Sequence, residues 1–472
     1  MKRRSILSSF ACLIAASAVK VSAQTAADQS ETTDTAEDLA HRLGISLDRL
    51  RGFLIGSLLG DALGGPIEFS DPNRLPDDMP HVRQWKAGTR LTARHCETLA
   101  RTLQLRGYET LRPETAPFGP WRKRAPAGTI TDDSRHKIIL LRAIKRTLEH
   151  AGQGSVTIDR SRLATEYLRP LRHLDETDGS TATLDQDGFK PYRDAARWWA
   201  AKSNPSSPEP TPEPTPEPTP EPTPEPTPEP TPDLASEPAY PPERLWAGVA
   251  NCSGQMALLP LAAVFPGKPV AAYEATYAID FLDSDHAVDY CAAINSGIAE
   301  VLSDRYNDSD PDTRMQALIQ TMIQTDPYHY ADIPFTERPF AQWLGRGLQW
   351  AESVDRDPRQ LFEKLEREGK PHYWWDAHFT FVVPLAIMHF CRDDPMAAMN
   401  LCLDFGHDTD SYAQLLGAWI GVIHGRKVFP TSMVRQVEKR LEVDFGESVD
   451  DWCRTLLIAV DHTQHQQLRF AR

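Results

Sequence analysis

Three short clusters of carboxylate and hydroxyl side chains have the residue types of a divalent-cation site. Residues 408–411 read Asp-Thr-Asp-Ser, residues 131–134 read Thr-Asp-Asp-Ser, and residues 60–68 contain Asp61 and Glu68. Oxygen donors of this kind suit Mg²⁺, which keeps waters that a substrate can displace. Any one cluster is typical of a turn or a helix cap. Three of them, each beside an apolar helical segment, predict one site assembled from distant parts of the chain.

The segments beside these clusters have helical patterns. Glycine recurs at every fourth position in two of them, at residues 56, 60 and 64 and again at 417, 421 and 425. This spacing follows one face of a helix. Because glycine lowers helix stability, its repetition predicts a second backbone packed very close. Pro66 predicts that the first helix ends before Glu68. Helical patterns continue from Pro242 to the end without convincing alternating strands, so we predict an all-α fold.

The overall charge disfavours two classes of partner. The 472 residues carry a net charge of −15, whereas nucleic acids and anionic membranes select basic surfaces. The strongest local basic group follows the second cluster and comprises Lys137, Arg142, Lys145 and Arg146. A solvated helix face is the more common explanation of such a group.

The chain begins with the features of a secretory signal. Met1–Arg4 is basic, residues 6–19 are apolar, and Val-Ser-Ala at 21–23 precedes an expected cut before Gln24. The short apolar run argues against a membrane-spanning anchor. We therefore predict a signal peptide over residues 1–23, export to the periplasm or the extracellular space, and a flexible tether over residues 24–45.

Six cysteines remain after the signal peptide: Cys96, Cys252, Cys291, Cys391, Cys402 and Cys453. An exported protein could pair them. Several lie within apolar helical patterns, and their spacing is not that of a metal site. Buried free thiols are the simpler prediction, with one or two disulfides left open.

A low-complexity insertion divides the chain. Residues 208–231 are six copies of Pro-Glu-Pro-Thr, which cannot form a helix or a sheet interior. At roughly 3.1 Å per residue the repeats would extend to about 75 Å. Two acidic clusters precede the repeats and one follows. We therefore predict that residues 204–240 interrupt a single catalytic domain spanning residues 46–465, with a spacer as the default role.

The three clusters and their surroundings resemble a known family. Residues 56–68 (GSLLGDALGGPIE), 131–134 (TDDS) and 406–411 (GHDTDS) are similar to the three signatures of the ADP-ribosylglycohydrolases. That family includes the enzyme that reactivates dinitrogenase reductase by removing ADP-ribose from an arginine. The motifs occur in the family's order, and the likeness covers about residues 46–465 apart from the insertion.

The resemblance implies an orthogonal multi-helix bundle with two Mg²⁺ or Mn²⁺ ions in a central cleft. It implies ligands for the first ion in Thr131, Asp132 and Asp133, ligands for the second in Asp408 and Ser411, and a bridging ligand in Asp410. Glu68 corresponds to a residue that contacts a metal or its water, and with Asp132 and Asp133 it is a catalytic candidate. Asp61 is expected to cap or brace its own helix.

The middle part of the chain departs from the family pattern. An expected arginine is Ala257 here, and an expected Thr-His pair is replaced by Leu282-Asp283. The residues predicted to bind substrate are Asn251, Ser253, Gly254 and His407. Alternatively, His407 is a solvent-exposed loop residue. Residues 373–375 (Tyr-Trp-Trp) could stack an adenine, although core packing is more common for aromatic residues.

These observations lead to one hypothesis and two alternatives. The hypothesis is an exported binuclear-metal hydrolase that cleaves the glycosidic bond between ADP-ribose and a protein side chain or small molecule. Anionic oxygens and metal ions suit the oxocarbenium-like state of such a cleavage. The first alternative is a non-catalytic binder of ADP-ribose on the same fold. The second is a metal-dependent hydrolase of another nucleotide-like or glycosyl substrate.

Overall fold

The computed structural model describes residues 35–73, 75–107, 125–150, 154–169, 171, 190–202, 240–392 and 394–472. The predicted signal peptide, the first part of the predicted tether and the Pro-Glu-Pro-Thr repeats lie outside the described residues.

Almost all of the regular structure is helical, which confirms the all-α prediction. The helices before the insertion are α1 (Ala36–Leu43), α2 (Leu47–Gly64), α3 (Ala93–Thr102), α4 (Asp132–Glu149), α5 (Arg160–Tyr167) and α6 (Lys190–Lys202). The next are α7 (Ser253–Ala257), α8 (Pro269–Ile279), α9 (Ala287–Leu302), α10 (Pro311–Gln324), α11 (Pro339–Ser353) and α12 (Pro358–Gly369). The last are α13 (Ala377–Phe390), α14 (Pro395–Phe405), α15 (Thr409–His424), α16 (Thr431–Phe445) and α17 (Val449–Gln464). Among the described helices, none has both the length and the apolar composition that crossing a membrane requires.

Helices α2 and α15 form the centre of the bundle, and both are buried on nearly every face. Their glycines face one another: Gly52 lies against Gly421, and Gly56 lies against Gly417. As the numbers rise along one helix they fall along the other, so the two helices are antiparallel. A Cβ atom on Gly52 would lie 2.5 Å from the Gly421 carbonyl oxygen. The predicted close approach of a second backbone is confirmed, with Gly60 and Gly64 facing the backbone of Ala413 and Asp410 rather than a glycine.

The end of α2 places Glu68 as expected. The helix ends at Gly64, a single 3₁₀ turn follows over Gly65–Ile67 with Pro66 inside it, and Glu68 comes directly after that turn. Proline is tolerated in the first turn of such an element because its missing N–H has no partner there. Glu68 is therefore held on a short turn rather than on the helix.

The prediction of a flexible tether over residues 24–45 is wrong for its last eleven residues. Thr35 forms a capping box with Asp38 at the start of α1. Leu39 and Ala40 are buried, and Ile45 forms an isolated β-bridge with Ser303. The Ala, Thr, Asp and Glu residues that suggested disorder are also those of a capped helix, and only the tertiary contacts distinguish the two.

The structure also contains a small sheet that was not predicted from the sequence. Strand β1 (Val156–Ile158) pairs in parallel with β2 (Leu468–Phe470). Three residues are too few to show an alternating pattern, and the partner strand lies near the far end of the chain. The pairing anchors the last described residues beside α4 and α17.

All six cysteines beyond the predicted signal peptide are buried, and none of them forms a disulfide with another described residue. The prediction of free thiols is confirmed, and the open alternative of one or two disulfides is wrong.

Candidate metal centre and substrate pocket

The three acidic clusters meet in space. Ligand atoms of Asp132, Asp133 and Asp410 lie within 4.8 Å of one another, and the same holds for Glu68, Asp408 and Asp410. Asp410 thus belongs to both groups. Two neighbouring donor sets that share one carboxylate have the arrangement of a site for a pair of divalent cations.

Helix starts and a glycine bring these side chains together. The Thr131 hydroxyl accepts a hydrogen bond from the Asp133 N–H at 3.2 Å and caps α4. The Thr409 hydroxyl donates to the Gly64 carbonyl at 2.9 Å, which joins the start of α15 to the end of α2. A Cβ on Gly64 would lie 2.5 Å from the Asp410 Cα. Only glycine at position 64 lets the shared carboxylate come this close.

Asp61 was expected to cap or brace its own helix, but it contacts the start of α4 instead. Both of its carboxylate oxygens accept from the Thr131 N–H, at 3.0 and 3.1 Å. Asp61 is fully buried and therefore fixes the residue that starts α4. The expectation was wrong because α2 continues with its own backbone hydrogen bonds, while the start of α4 has a backbone donor that needs an acceptor.

Burial and mutual repulsion disturb the ionisation of the clustered carboxylates. Loss of water contact raises the pKa of Asp132 to about 6 and that of Asp410 to about 7, and in Asp410 the charges of Asp132 and Asp61 add to the rise. The pKa values of Asp133 and Asp408 lie well above the usual range because of burial and the Asp410 charge. A bound cation would remove this repulsion.

Two buried carboxylate oxygens without hydrogen-bond donors also support a site for a pair of divalent cations. Asp133 Oδ1 and Asp408 Oδ2 are buried and have no hydrogen-bond donor among the described residues. Buried polar atoms of this kind are rare in folded proteins. One oxygen belongs to each donor set, so the residues present fit one cation in each set.

We expect the metal-free protein to lose stability as pH rises from about 5 to 8. The raised carboxyl pKa values mean that the folded state holds more protons than the unfolded state above pH 4, so the free energy of unfolding falls as these protons leave. Mg²⁺ binds the ionised form, and its stabilising effect should therefore grow over the same range. Thermal unfolding at four pH values, with chelator or with Mg²⁺, measures both trends. An Mg²⁺ effect that is largest at pH 5 would contradict this assignment.

Lys137 is a component of the site that the sequence analysis missed. The side chain is buried on α4, and its Nζ donates to the Asp133 carbonyl at 2.9 Å. Burial lowers the pKa of Lys137, while the charges of Asp133 and Asp61 oppose this shift. The expected solvated face or basic patch is therefore wrong for Lys137. Its spacing of four residues from Asp133 places it on the same side of α4, which is a signal that the sequence contained.

Replacing Lys137 with methionine should lower the stability of the metal-free protein and raise its affinity for Mg²⁺. The carboxylates lose a buried countercharge, at a cost of about 2–4 kcal/mol in the free energy of unfolding. A Mg²⁺ ion then meets less positive charge. Chemical denaturation in chelator and calorimetric Mg²⁺ titration measure the two effects. Lys145→Met is the matched control, because Lys145 is exposed on the same helix. Equal behaviour of the two variants would refute the role of Lys137.

The acidic groups open into a pocket of about 480 Å³, including its mouth. Carboxylates of Glu68, Asp132, Asp133 and Asp408 form one part of the lining. The other part is aromatic and apolar, with side chains from Phe69, Tyr192, Trp246, Met256 and Trp375. A pocket with apolar walls and a few convergent polar groups is typical of a small-molecule site.

The predicted substrate-binding residues differ in their placement. Asn251 and Ser253 line the pocket, and Asn251 Oδ1 accepts from the Ser253 N–H at 3.0 Å. Gly254 lies behind them and donates its N–H to Asp283 Oδ1 at 2.8 Å. Asp283, which departs from the family pattern, thus holds the backbone of this segment. A Cβ on Gly254 would lie 2.7 Å from Asp280 Oδ2, so a larger residue at position 254 would force this carboxylate to shift.

His407 lies beside the site with its ring turned to other partners. Its Nε2 is 2.8 Å from Glu366 Oε1, and its ring stacks on Trp374 with centroids 3.6 Å apart. Its carbonyl accepts from the Phe69 N–H at 2.6 Å, which ties the turn after Glu68 to the 408–411 cluster. The ring is mostly buried, so the alternative of an exposed loop residue is wrong, and a direct substrate contact stays a prediction.

The three consecutive aromatic residues have separate positions. Trp375 lines the pocket, and Tyr373 stacks on it with centroids 4.9 Å apart. Trp374 packs against the hydrophobic core. An isolated bridge between Asn251 and the neighbouring Asp376 holds this segment against the pocket.

A family model for the ADP-ribosylglycohydrolases matches residues 43–466. The chain belongs to the ADP-ribosylglycohydrolase family. Among solved structures, one titled "ADP-ribosylglycohydrolase-related protein complex" is similar, with a TM-score of 0.45 and 16% identity over 88% of this chain and 98% of that chain. Comparison with curated proteins finds no match.

Membership of the ADP-ribosylglycohydrolase family supports a glycohydrolase-type activity. Enzymes of the family depend on metal ions, and the two donor sets around Asp410 lie within the matched residues.

Proposed function

We propose that this member of the ADP-ribosylglycohydrolase family is a binuclear-metal hydrolase that releases ADP-ribose from a modified protein side chain or small molecule. The observation that carries the proposal is the sharing of Asp410 between two three-carboxylate groups. Two Mg²⁺ or Mn²⁺ ions are the proposed cofactors, because every donor is a hard oxygen.

Each donor set would hold one ion. Asp132 and Asp133 would hold the first, Glu68 and Asp408 would hold the second, and the shared Asp410 would contribute to both. Thr131 and Ser411 add hydroxyl oxygens, and Ser411 Oγ lies 3.4 Å from Asp133 Oδ2. When bound, the ions supply attachment for ribose hydroxyls and lower the pKa of a coordinated water.

The protein's own groups complete the proposed mechanism. Glu68 lines the pocket on its own turn, where it can accept the proton of an attacking water or return one to the leaving group. The surrounding carboxylates stabilise positive charge at the anomeric carbon as the glycosidic bond breaks. The aromatic walls shield this carbon from bulk water.

Two departures from the family pattern favour the two alternative functions. Ala257 is buried where the family pattern has an arginine, and Asp283 holds Gly254 where the pattern has a Thr-His pair. These changes lie beside the segment proposed to bind substrate. They favour a glycosyl or nucleotide-like substrate other than ADP-ribose, or binding of ADP-ribose without turnover, on the same metal site.

A substrate panel separates these candidates. Purified protein with Mg²⁺ is incubated with ADP-ribosyl-arginine, ADP-ribosyl-serine and O-acetyl-ADP-ribose, and released ADP-ribose is measured by chromatography. Product that chelator abolishes supports the main proposal. Tight binding of ADP-ribose without product supports the binder, and neither binding nor product points to another glycosyl substrate.

We also propose that the protein is exported, on the strength of residues 1–23. Expression of the full chain followed by N-terminal sequencing of the mature protein tests this directly. A mature protein that begins at Gln24 in the periplasm or the medium agrees with export, and an uncut protein retained in the cytoplasm contradicts it.

A further inference from the structure

The two flanks of the proline-repeat insertion fold onto the pocket. Helix α6 leads into the insertion, and a 3₁₀ segment over Pro242–Gly248 leads out of it. Each flank contributes one aromatic side chain to the pocket lining, Tyr192 from α6 and Trp246 from the 3₁₀ segment. Their rings meet edge to face with centroids 5.9 Å apart. The flanks therefore form a wall of the site, although the repeats between them look like a simple spacer.

Tyr192 connects the metal-bearing helix to the proposed substrate segment. Its hydroxyl is 3.0 Å from the Ser253 hydroxyl, and its ring meets the His136 ring edge to face at 4.5 Å. His136 lies on α4 and is itself held by a 2.8 Å contact between its Nδ1 and the Tyr167 hydroxyl. Tyr192 is thus fixed on the side of α4 and presents its hydroxyl to Ser253.

The ionisation states of Tyr192 and His136 are constant over the physiological pH range. Burial raises the pKa of the Tyr192 phenol and lowers the pKa of His136 to about 3. Both rings are therefore neutral, and the hydroxyl contact with Ser253 does not depend on pH. Tyr192 is therefore placed to support the segment that carries Ser253, through its hydroxyl and its packed ring.

Backbone strain in the 3₁₀ segment over Pro242–Gly248 also supports a structural role for the flanks of the insertion. Trp246 and Ala247 both have left-handed backbone angles, with φ of 50° and 55°. Residues with a Cβ rarely adopt this conformation, and such strain persists only where the surrounding structure holds it. The strained turn directs the Trp246 ring toward Tyr192 and the pocket.

We propose that Tyr192 is a positioning residue for the Asn251–Gly254 segment, braced by Trp246. Through Ser253 it holds this segment against the pocket and so sets how tightly the substrate is bound. The proposal rests on the proposed glycohydrolase function for its kinetic consequences. It also assigns a role in the site to the flanks of the insertion, separate from the repeats.

The first test is independent of activity and uses Cys252, a buried free thiol between Asn251 and Ser253 that lines the pocket. Its alkylation by iodoacetamide is followed by mass spectrometry in wild type, Tyr192→Phe and Tyr192→Ala. We expect the labelling rate to rise roughly tenfold in Tyr192→Ala, with a smaller rise in Tyr192→Phe, because the segment opens more often. Unchanged labelling in both variants would overturn the proposal, whatever the substrate.

The second test is kinetic. Loss of the hydroxyl contact with Ser253 in Tyr192→Phe should raise KM about five- to tenfold and leave kcat within about twofold. If Tyr192 acts through Ser253, the double variant with Ser253→Ala should be no worse than Ser253→Ala alone. Additive effects would show that Tyr192 does not act through Ser253. If the wild-type protein neither cleaves nor binds ADP-ribose, only the proposed function is refuted. The labelling test still decides the role of Tyr192.

Two controls separate the wall from the rest of the insertion. Trp198 lies on the same helix, but its ring stacks under the Lys202 ammonium at 5.0 Å and does not line the pocket. Trp198→Ala should leave labelling and KM unchanged. Deleting residues 208–231 should also leave both unchanged, because the flanks stay in place. A deletion as harmful as Tyr192→Ala would show that the flanks alone do not hold the wall.

Discussion

Replacing Asp410 with asparagine should abolish metal-dependent turnover, with a loss of roughly 10³-fold or more. Asparagine keeps the shape of the side chain but removes the one carboxylate that both donor sets share. Each set then lacks a negative ligand. Asp408→Ala and Asp132→Ala affect one set each, so they should also stop turnover but retain one measurable Mg²⁺ site. Calorimetric Mg²⁺ titration beside the activity assay distinguishes the three variants.

The same Asp410 variant should be at least as stable as wild type in chelator. The carboxylates around Asp410 repel one another without cations, so removing one charge relieves part of that repulsion. Glu442→Gln is the control, since Glu442 is an exposed carboxylate on α16. Full activity in Asp410→Asn, or activity in wild type that is insensitive to chelators, would remove the binuclear assignment.

Replacing Gly417 or Gly56 with alanine should destabilise the fold by about 3–5 kcal/mol or prevent folding. A Cβ on either glycine would collide with the backbone of the facing helix. Backbone cannot move aside as a flexible side chain can, so α2 and α15 would have to separate. That separation would also move Asp410 away from Glu68. Denaturant-induced unfolding measures the loss, and Mg²⁺ titration measures the effect on the site.

Gly345→Ala is the matched control for the glycine substitutions. Gly345 lies within helix α11, is exposed, and has no atom within 4 Å of the position that a Cβ would occupy. Alanine there should stabilise the protein by up to about 1 kcal/mol, because it restricts the unfolded chain and favours the helix. If Gly417→Ala were as mild as Gly345→Ala, the packed glycines would not be what holds α2 and α15 together.

The sequence was sufficient for features that short stretches encode. The four-residue glycine spacing implied a closely packed backbone, and the structure supplied the facing helix. The hydroxyl of Thr131 caps α4 as its position suggested. Three acidic clusters in the order of a known family predicted a common site, and their carboxylates lie together. Each inference relied on neighbouring residues or on a motif, so it did not require knowledge of the tertiary fold.

Only the tertiary structure decided which distant side chains meet. Lys137 looked like a surface charge and is buried behind the carboxylates, while Asp61 braces the start of α4 rather than its own helix. Tyr192 lies beside an insertion that had no assigned role in the site, and its hydroxyl contacts the Ser253 hydroxyl. A local pattern records the face of a helix, but the partner on that face depends on how the helices cross. In this protein the residue types were therefore readable from the chain, and their partners were set by packing.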